Sequence, residues 1–133
     1  MKRLFLAGPD PDIMRGRRPA FERDRQLLAD AGYRPVVPRD VATGVNGWQP
    51  VMRRLLRSML LCGGVALASG WDSDPGSRLV ETVASSLGIP CRTVDAWLWQ
   101  ARSGAEARRR ADELGAGRPS PLLSEPARRG TSS

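Results

Sequence analysis

Four short apolar runs, each leading into a stretch with helical spacing, decide most of what this 133-residue chain can become. Leu4-Phe5-Leu6-Ala7 is closed by Gly8-Pro9. Arg34-Pro35-Val36-Val37-Pro38 carries a proline at each flank, which suits a short strand near a sheet edge. Val65-Ala66-Leu67-Ala68 and Ile89 to Val94 complete the set. Runs this short, bounded by Gly and Pro, read as buried strands rather than helices.

The stretches between them have a period of 3.6. Ala20, Phe21, Leu27, Leu28 and Ala31 share a face that only Asp24 interrupts, with Pro19 suited to the first turn and Gly32 to a left-handed stop. Trp48, Val51, Met52, Leu55, Leu56, Met59 and Leu60 form the clearest amphipathic helix, broken by Gly63-Gly64. Asp74-Pro75 reads as an N-cap and first helical residue; Leu79, Val80, Val83, Ala84 and Leu87 follow, and Gly88 stops the helix. Asp95 caps a last helix through Trp97, Leu98 and Trp99.

Strand and helix therefore alternate throughout. That order predicts an α/β fold: a flavodoxin-like or Rossmann-like three-layer sandwich with a parallel sheet of about four strands, ordered 2-1-3-4. Residues 1–102 make the expected α/β domain. Residues 103–133 make a helical extension over 103–114 and, from Gly115, a basic tail of Gly, Pro, Ser and Arg expected to be disordered.

Composition narrows the function. The net charge is +7, from 20 arginines and Lys2 against 14 acids. From Arg102 onward there are seven arginines and four acids, so the tail supplies +3 and the remaining +4 is spread without a dense run. A nucleic-acid footprint is normally clustered, so nucleic acid is disfavoured as a partner. The chain has no histidine, which removes Ser-His and Cys-His catalysis and argues against a zinc site; no metal and no cofactor is expected. Cys62 and Cys91 lie among apolar residues and read as free thiols. No apolar run approaches membrane-spanning length and none resembles a signal peptide, so a cytoplasmic protein without membrane contact is expected.

Candidate chemistry gathers in the loops after the strands, where such sheets place their ligands. Asp72 and Asp74 share one loop; paired carboxylates do acid–base work or bind a divalent ion, but an N-cap for Asp74 and a solvated loop acid for Asp72 explain them better. Arg15, Arg17 and Arg18 precede a helix start and would suit a phosphate, against the reading of a solvated basic loop. Trp71 would either stack on a base or cover the core. Trp48, Trp97 and Trp99 read as packing residues, with Trp97 or Trp99 also suited to a subunit contact; a homo-oligomer stays open.

Several blocks carry a family likeness. The opening Leu4-Phe5-Leu6-Ala7-Gly8-Pro9 resembles the Tyr-x-x-Gly-Pro strand of nucleoside 2-deoxyribosyltransferase-like proteins. Arg18-Pro19-Ala20-Phe21, then Leu27 to Tyr33, then Pro35 to Pro38 resemble a small, phage-associated uncharacterised branch of that superfamily. Gly70-Trp71-Asp72-Ser73-Asp74-Pro75-Gly76-Ser77-Arg78, followed by Leu87-Gly88-Ile89-Pro90, fits it best.

The resemblance implies a glutamate nucleophile near the start of the third helix, which attacks a nucleoside's anomeric carbon in a double displacement. It also implies an acid near the third strand and a tyrosine on the first. On this chain those positions hold Val80, Gly63 and Phe5. Glu81 is one residue on, turned by about 100°. Asp74 matches an aspartate that contacts the base, and the likeness places Gly8, Pro9 and Trp71 beside the pocket.

Two readings follow. The chain binds a nucleoside or nucleotide and is catalytically degenerate, or only weakly active on the N-glycosidic bond. Alternatively it is an active N-glycosidase or deoxyribosyltransferase in which a one-residue shift brings Glu81 into play as nucleophile, with Asp74 holding the base. A basic nucleic-acid-associated protein using its tail is a further reading.

Overall fold

A computed structural model describes residues 1–9 and 19–115. Its elements in chain order are β1 (Arg3–Ala7), α1 (Pro19–Asp30), β2 (Arg34–Val36), α2 (Pro38–Val41), α3 (Trp48–Met59), β3 (Gly64–Leu67), one 3-10 turn (Trp71–Ser73), α4 (Pro75–Ser86), β4 (Cys91–Thr93) and α5 (Val94–Gly115). The four strands form one parallel sheet in the order β2-β1-β3-β4. This is the α/β architecture and strand order that the sequence predicts. Contacts divide the chain into a unit Met1–Ala101, which holds the whole sheet, and a unit Arg102–Ser133, of which residues 102–115 are helical.

Successive residues of a strand face opposite sides, and both faces of this sheet are apolar. Phe5, Ala7, Val65 and Leu67 face one side and pack against Met52, Leu55 and Met59 of α3 and Val80 and Ala84 of α4. Leu4, Leu6, Ala66 and Ala68 face the other and pack against Leu28 of α1 and Val94 and Trp97 of α5. The register between the two central strands is Leu4 with Gly64 through Ala7 with Leu67.

Trp97 fastens the second layer. It is 1% exposed, and its indole N–H donates to the Val65 carbonyl at 2.9 Å. Tyr33 meets its ring edge-on at 5.7 Å and donates its hydroxyl to the Trp97 carbonyl at 2.9 Å. Lys2 and Arg92 each hold a cationic group 5.3 Å from the Trp97 ring centroid, adding cation–π attraction. A Cβ on Gly64 would lie 2.7 Å from a Trp97 ring carbon, so the glycine that ends the preceding loop also makes room for the indole.

Several local features differ from expectation, among them that Asp95 lies inside α5 rather than capping it, since Val94 opens the helix and the Thr93 hydroxyl accepts the Ala96 N–H at 3.1 Å. The segment read as loop from Arg39 to Gly47 contains a helical turn, α2, which starts at Pro38 rather than continuing β2; proline at a first helical position explains the start. Strand β4 spans only Cys91–Thr93, because Val94 already opens α5. Helix α3 ends at Met59 and leaves Leu60 and Leu61 exposed. Trp48, read as a packing residue, is 58% exposed: it shares the apolar face of α3 but sits at the helix's first residue. The tail expected to be disordered lies outside the described residues from 116 onward. Among the described residues no helix is long and apolar enough to cross a membrane.

Candidate functional site

In a parallel α/β sheet each crossover helix begins at the carboxyl ends of the strands, so helix starts and strand ends converge there. Among the described residues, two clefts lie there.

The first, about 450 Å³, lies on the α3–α4 side of the sheet. Phe5, Ala7 and Gly8 come from β1 and its end, and Pro38 from α2. Gly47, Trp48, Val51, Met52 and Leu55 come from the start of α3; Asp74, Pro75, Gly76, Ser77 and Val80 come from the start of α4. A Cβ at Gly76 would approach the Met52 sulfur to 3.3 Å, so this glycine lets the two helices come together beneath the cleft. The volume is within the range of about 300–1,000 Å³ usual for small-molecule sites.

Most of this wall is apolar; the polar side-chain groups of its lining residues are the Asp74 carboxylate, the Ser77 hydroxyl and the Trp48 indole N–H. Asp74 is the N-cap of α4: its Oδ2 accepts the Ser77 backbone N–H at 3.0 Å and the Ser77 hydroxyl at 2.6 Å. Ser77 is 4% exposed, so its hydroxyl needs that partner. Among the described residues Oδ1 of Asp74 takes no hydrogen bond. One oxygen therefore holds the helix, and the other is an open acceptor on a residue that lines the cleft.

Val80 is 2% exposed and lines this cleft one turn beyond Ser77. Glu81 does not line it. Its carboxylate accepts the Ser85 hydroxyl at 2.8 Å on the flank of α4 that faces Cys91. Burial pushes the Cys91 thiol above its ordinary pKa, the Ser85 hydrogen bond pulls it back, and the Glu81 charge adds to the rise. No sheet residue supplies a hydroxyl at the head of the cleft, because the β1 position there is Phe5.

The second cleft, about 390 Å³, lies at the ends of β3 and β4 on the α1–α5 side. Ser69, Gly70, Trp71, Asp72, Thr93, Asp95 and, from α1, Arg23 and Asp24 line it. Asp24, the one break in the apolar face of α1, thus borders a cleft rather than the core. Trp71 is half-buried and also packs against the first core layer, while Asp72 is exposed. The structure therefore brings Gly8 and Asp74 together and sets Trp71 and Asp72 in the other cleft. Pro9 abuts the loop between them: a Cβ on Gly70, whose φ is +86°, would meet the Pro9 ring at 3.1 Å. Arg15, Arg17 and Arg18 lie outside the described residues.

Sequence reasoning missed Trp48 and the start of α3 as part of the site. The available signal was Gly47, whose φ of +93° lets the chain turn sharply into the helix and leaves the next side chain at the cleft rim. Among the described residues no group of three or more His, Cys, Asp or Glu side chains is placed to hold a metal ion.

A family profile described as a domain of unknown function, DUF4406, matches residues 2–93, which include every residue of the first cleft. No curated protein and no solved structure matches the chain.

Proposed function

The chain belongs to the DUF4406 family, a domain of unknown function, and from that premise we propose that its first cleft binds a nucleoside or nucleotide without breaking the N-glycosidic bond. The observation that carries the reading is the open Oδ1 of Asp74 set in an otherwise apolar wall. A nucleobase is a flat apolar body with N–H donors on its edge, and such a body matches such a wall. The resemblance of the Gly70 to Arg78 block to nucleoside 2-deoxyribosyltransferases supports the same ligand class.

The composition of the wall disfavours turnover. A glycosyl transfer by double displacement needs a carboxylate within reach of the anomeric carbon. Phe5 and Val80 occupy the positions where the resemblance implies a tyrosine and a glutamate, and neither has a nucleophilic atom; the lining carboxylate, Asp74, is assigned here to the edge of the base rather than to the sugar. Glu81 is engaged with Ser85 and lies outside the lining. The proposal includes a cytoplasmic setting, which the two free cysteines support.

Incubating the protein with deoxynucleosides and nucleoside monophosphates, with chromatography for released base and calorimetry for binding, tests both halves. Saturable binding without free base is the expected result. Base release abolished by Glu81→Gln would instead establish the glycosidase reading. Steeply salt-dependent DNA binding that is lost when residues 103–133 are removed would point to a nucleic-acid-associated role.

A further inference from the structure

Trp48 is the most exposed large side chain of the first cleft, and no core contact accounts for its exposure. Three observations separate it from an ordinary surface residue. It is continuous with the apolar wall of the cleft rather than isolated on the surface. Its backbone is aimed by Gly47 at φ +93°, a conformation that side-chain-bearing residues rarely adopt. Its indole N–H has no hydrogen-bond partner among the described residues, whereas the buried Trp97 indole donates to a backbone carbonyl. The other exposed tryptophan, Trp99, lines neither cleft.

We propose that Trp48 is the stacking surface of the cleft, so that the ligand is recognised through the face of a planar heteroaromatic ring whose edge is read by Asp74. The inference rests on the nucleoside reading above and narrows it: the base, not the sugar, supplies most of the recognition. The cleft fits this division. Its walls from α3 and α4 are apolar, with Trp48 on the α3 side and the Asp74–Ser77 pair on the α4 side. A ring between them buries both faces and keeps one edge at Oδ1. A sugar alone, hydroxylated all round, would leave its own hydroxyls unpaired against Val51, Met52 and Leu55, which is costly.

The experiment is calorimetric titration of the full chain with thymidine, 2′-deoxyadenosine and 2-deoxyribose, in wild type and in Trp48→Leu, Trp48→Phe and Trp99→Leu. Because Trp48 and Trp99 are exposed, the variants should keep the wild-type thermal transition. The wild type should bind both nucleosides and not the free sugar. Trp48→Leu should weaken nucleoside binding roughly 5- to 150-fold, the span that base–aromatic stacking commands. Trp48→Phe should recover part of the loss, and Trp99→Leu should bind as wild type does. Wild-type affinity in Trp48→Leu, or equal binding of 2-deoxyribose, overturns the stacking role while leaving the nucleoside reading intact. Absence of nucleoside binding by the wild type overturns both.

Discussion

Asp74 does two things with one carboxylate, and the two can be separated. Oδ2 satisfies the Ser77 backbone N–H and hydroxyl at the start of α4, which leaves Oδ1 without a hydrogen bond on a residue that lines the cleft. Asparagine is as good an N-cap as aspartate, whereas alanine forfeits about 0.5–2 kcal/mol. Asp74→Ala should therefore lower both the melting temperature and nucleoside affinity. Asp74→Asn should keep the melting temperature close to wild type and lose affinity alone, because its amide presents a different edge to the base. Thermal melts beside calorimetry read the two effects independently. The cap role was legible from Asp74-Pro75 in the sequence. That one oxygen would stay open was not, because it depends on Ser77 donating both of its groups to the same atom. Trp48 shows the converse limit: its spacing marks the apolar face of α3, and periodicity carries no information about where along a helix the sheet ends.

At the scale of elements, the packing of α5 against β3 through Trp97 holds the second layer, and it depends on a missing side chain. Gly64 leaves room for the indole, and a methyl there would sit 2.7 Å from a ring carbon and 3.0 Å from a Leu4 methyl. Gly64→Ala should cost about 1–3 kcal/mol, as overpacking of a tight core does. A shift of the urea midpoint without a change in its slope would read that cost. Gly88→Ala, with nothing within 4 Å, offers a contrast in which only the positive φ of +78° opposes the methyl. The strands, the α3 and α4 helices and the order β2-β1-β3-β4 were legible because hydrophobic period and Gly/Pro punctuation agree along most of the chain. Helix α2 was not, since a single turn of four residues is too short for any period to register.

For the whole molecule, the titratable groups that packing perturbs are acids kept protonated. Burial raises the Cys62 thiol pKa, against a smaller opposing pull from Arg3, and raises the Tyr33 hydroxyl, against Arg92. It raises the Cys91 thiol as well. Each group is harder to ionise folded than unfolded, so over alkaline pH the native state binds more protons than the unfolded one. Their contribution is fully present below the ordinary thiol value of 9.0 and is lost as pH rises above it. Denaturation profiles should show stability falling above about pH 9, with a shallower fall in Cys62→Ala. At this scale the sequence revealed the sheet and where its ligands belong, but not that the strand ends open into two clefts. The 3-10 turn at Trp71–Ser73 separates Trp71 and Asp72, which line the second cleft, from Asp74, which lines the first.

The most direct measurement is isothermal titration of the full chain with a panel of deoxynucleosides and their monophosphates, with the cell contents then resolved for free base. One saturable site, weakened by Asp74→Asn, is expected, with intact ligand recovered after prolonged incubation. Heats indistinguishable from dilution for every ligand, or stoichiometric excess of free base that disappears in Glu81→Gln, would contradict it.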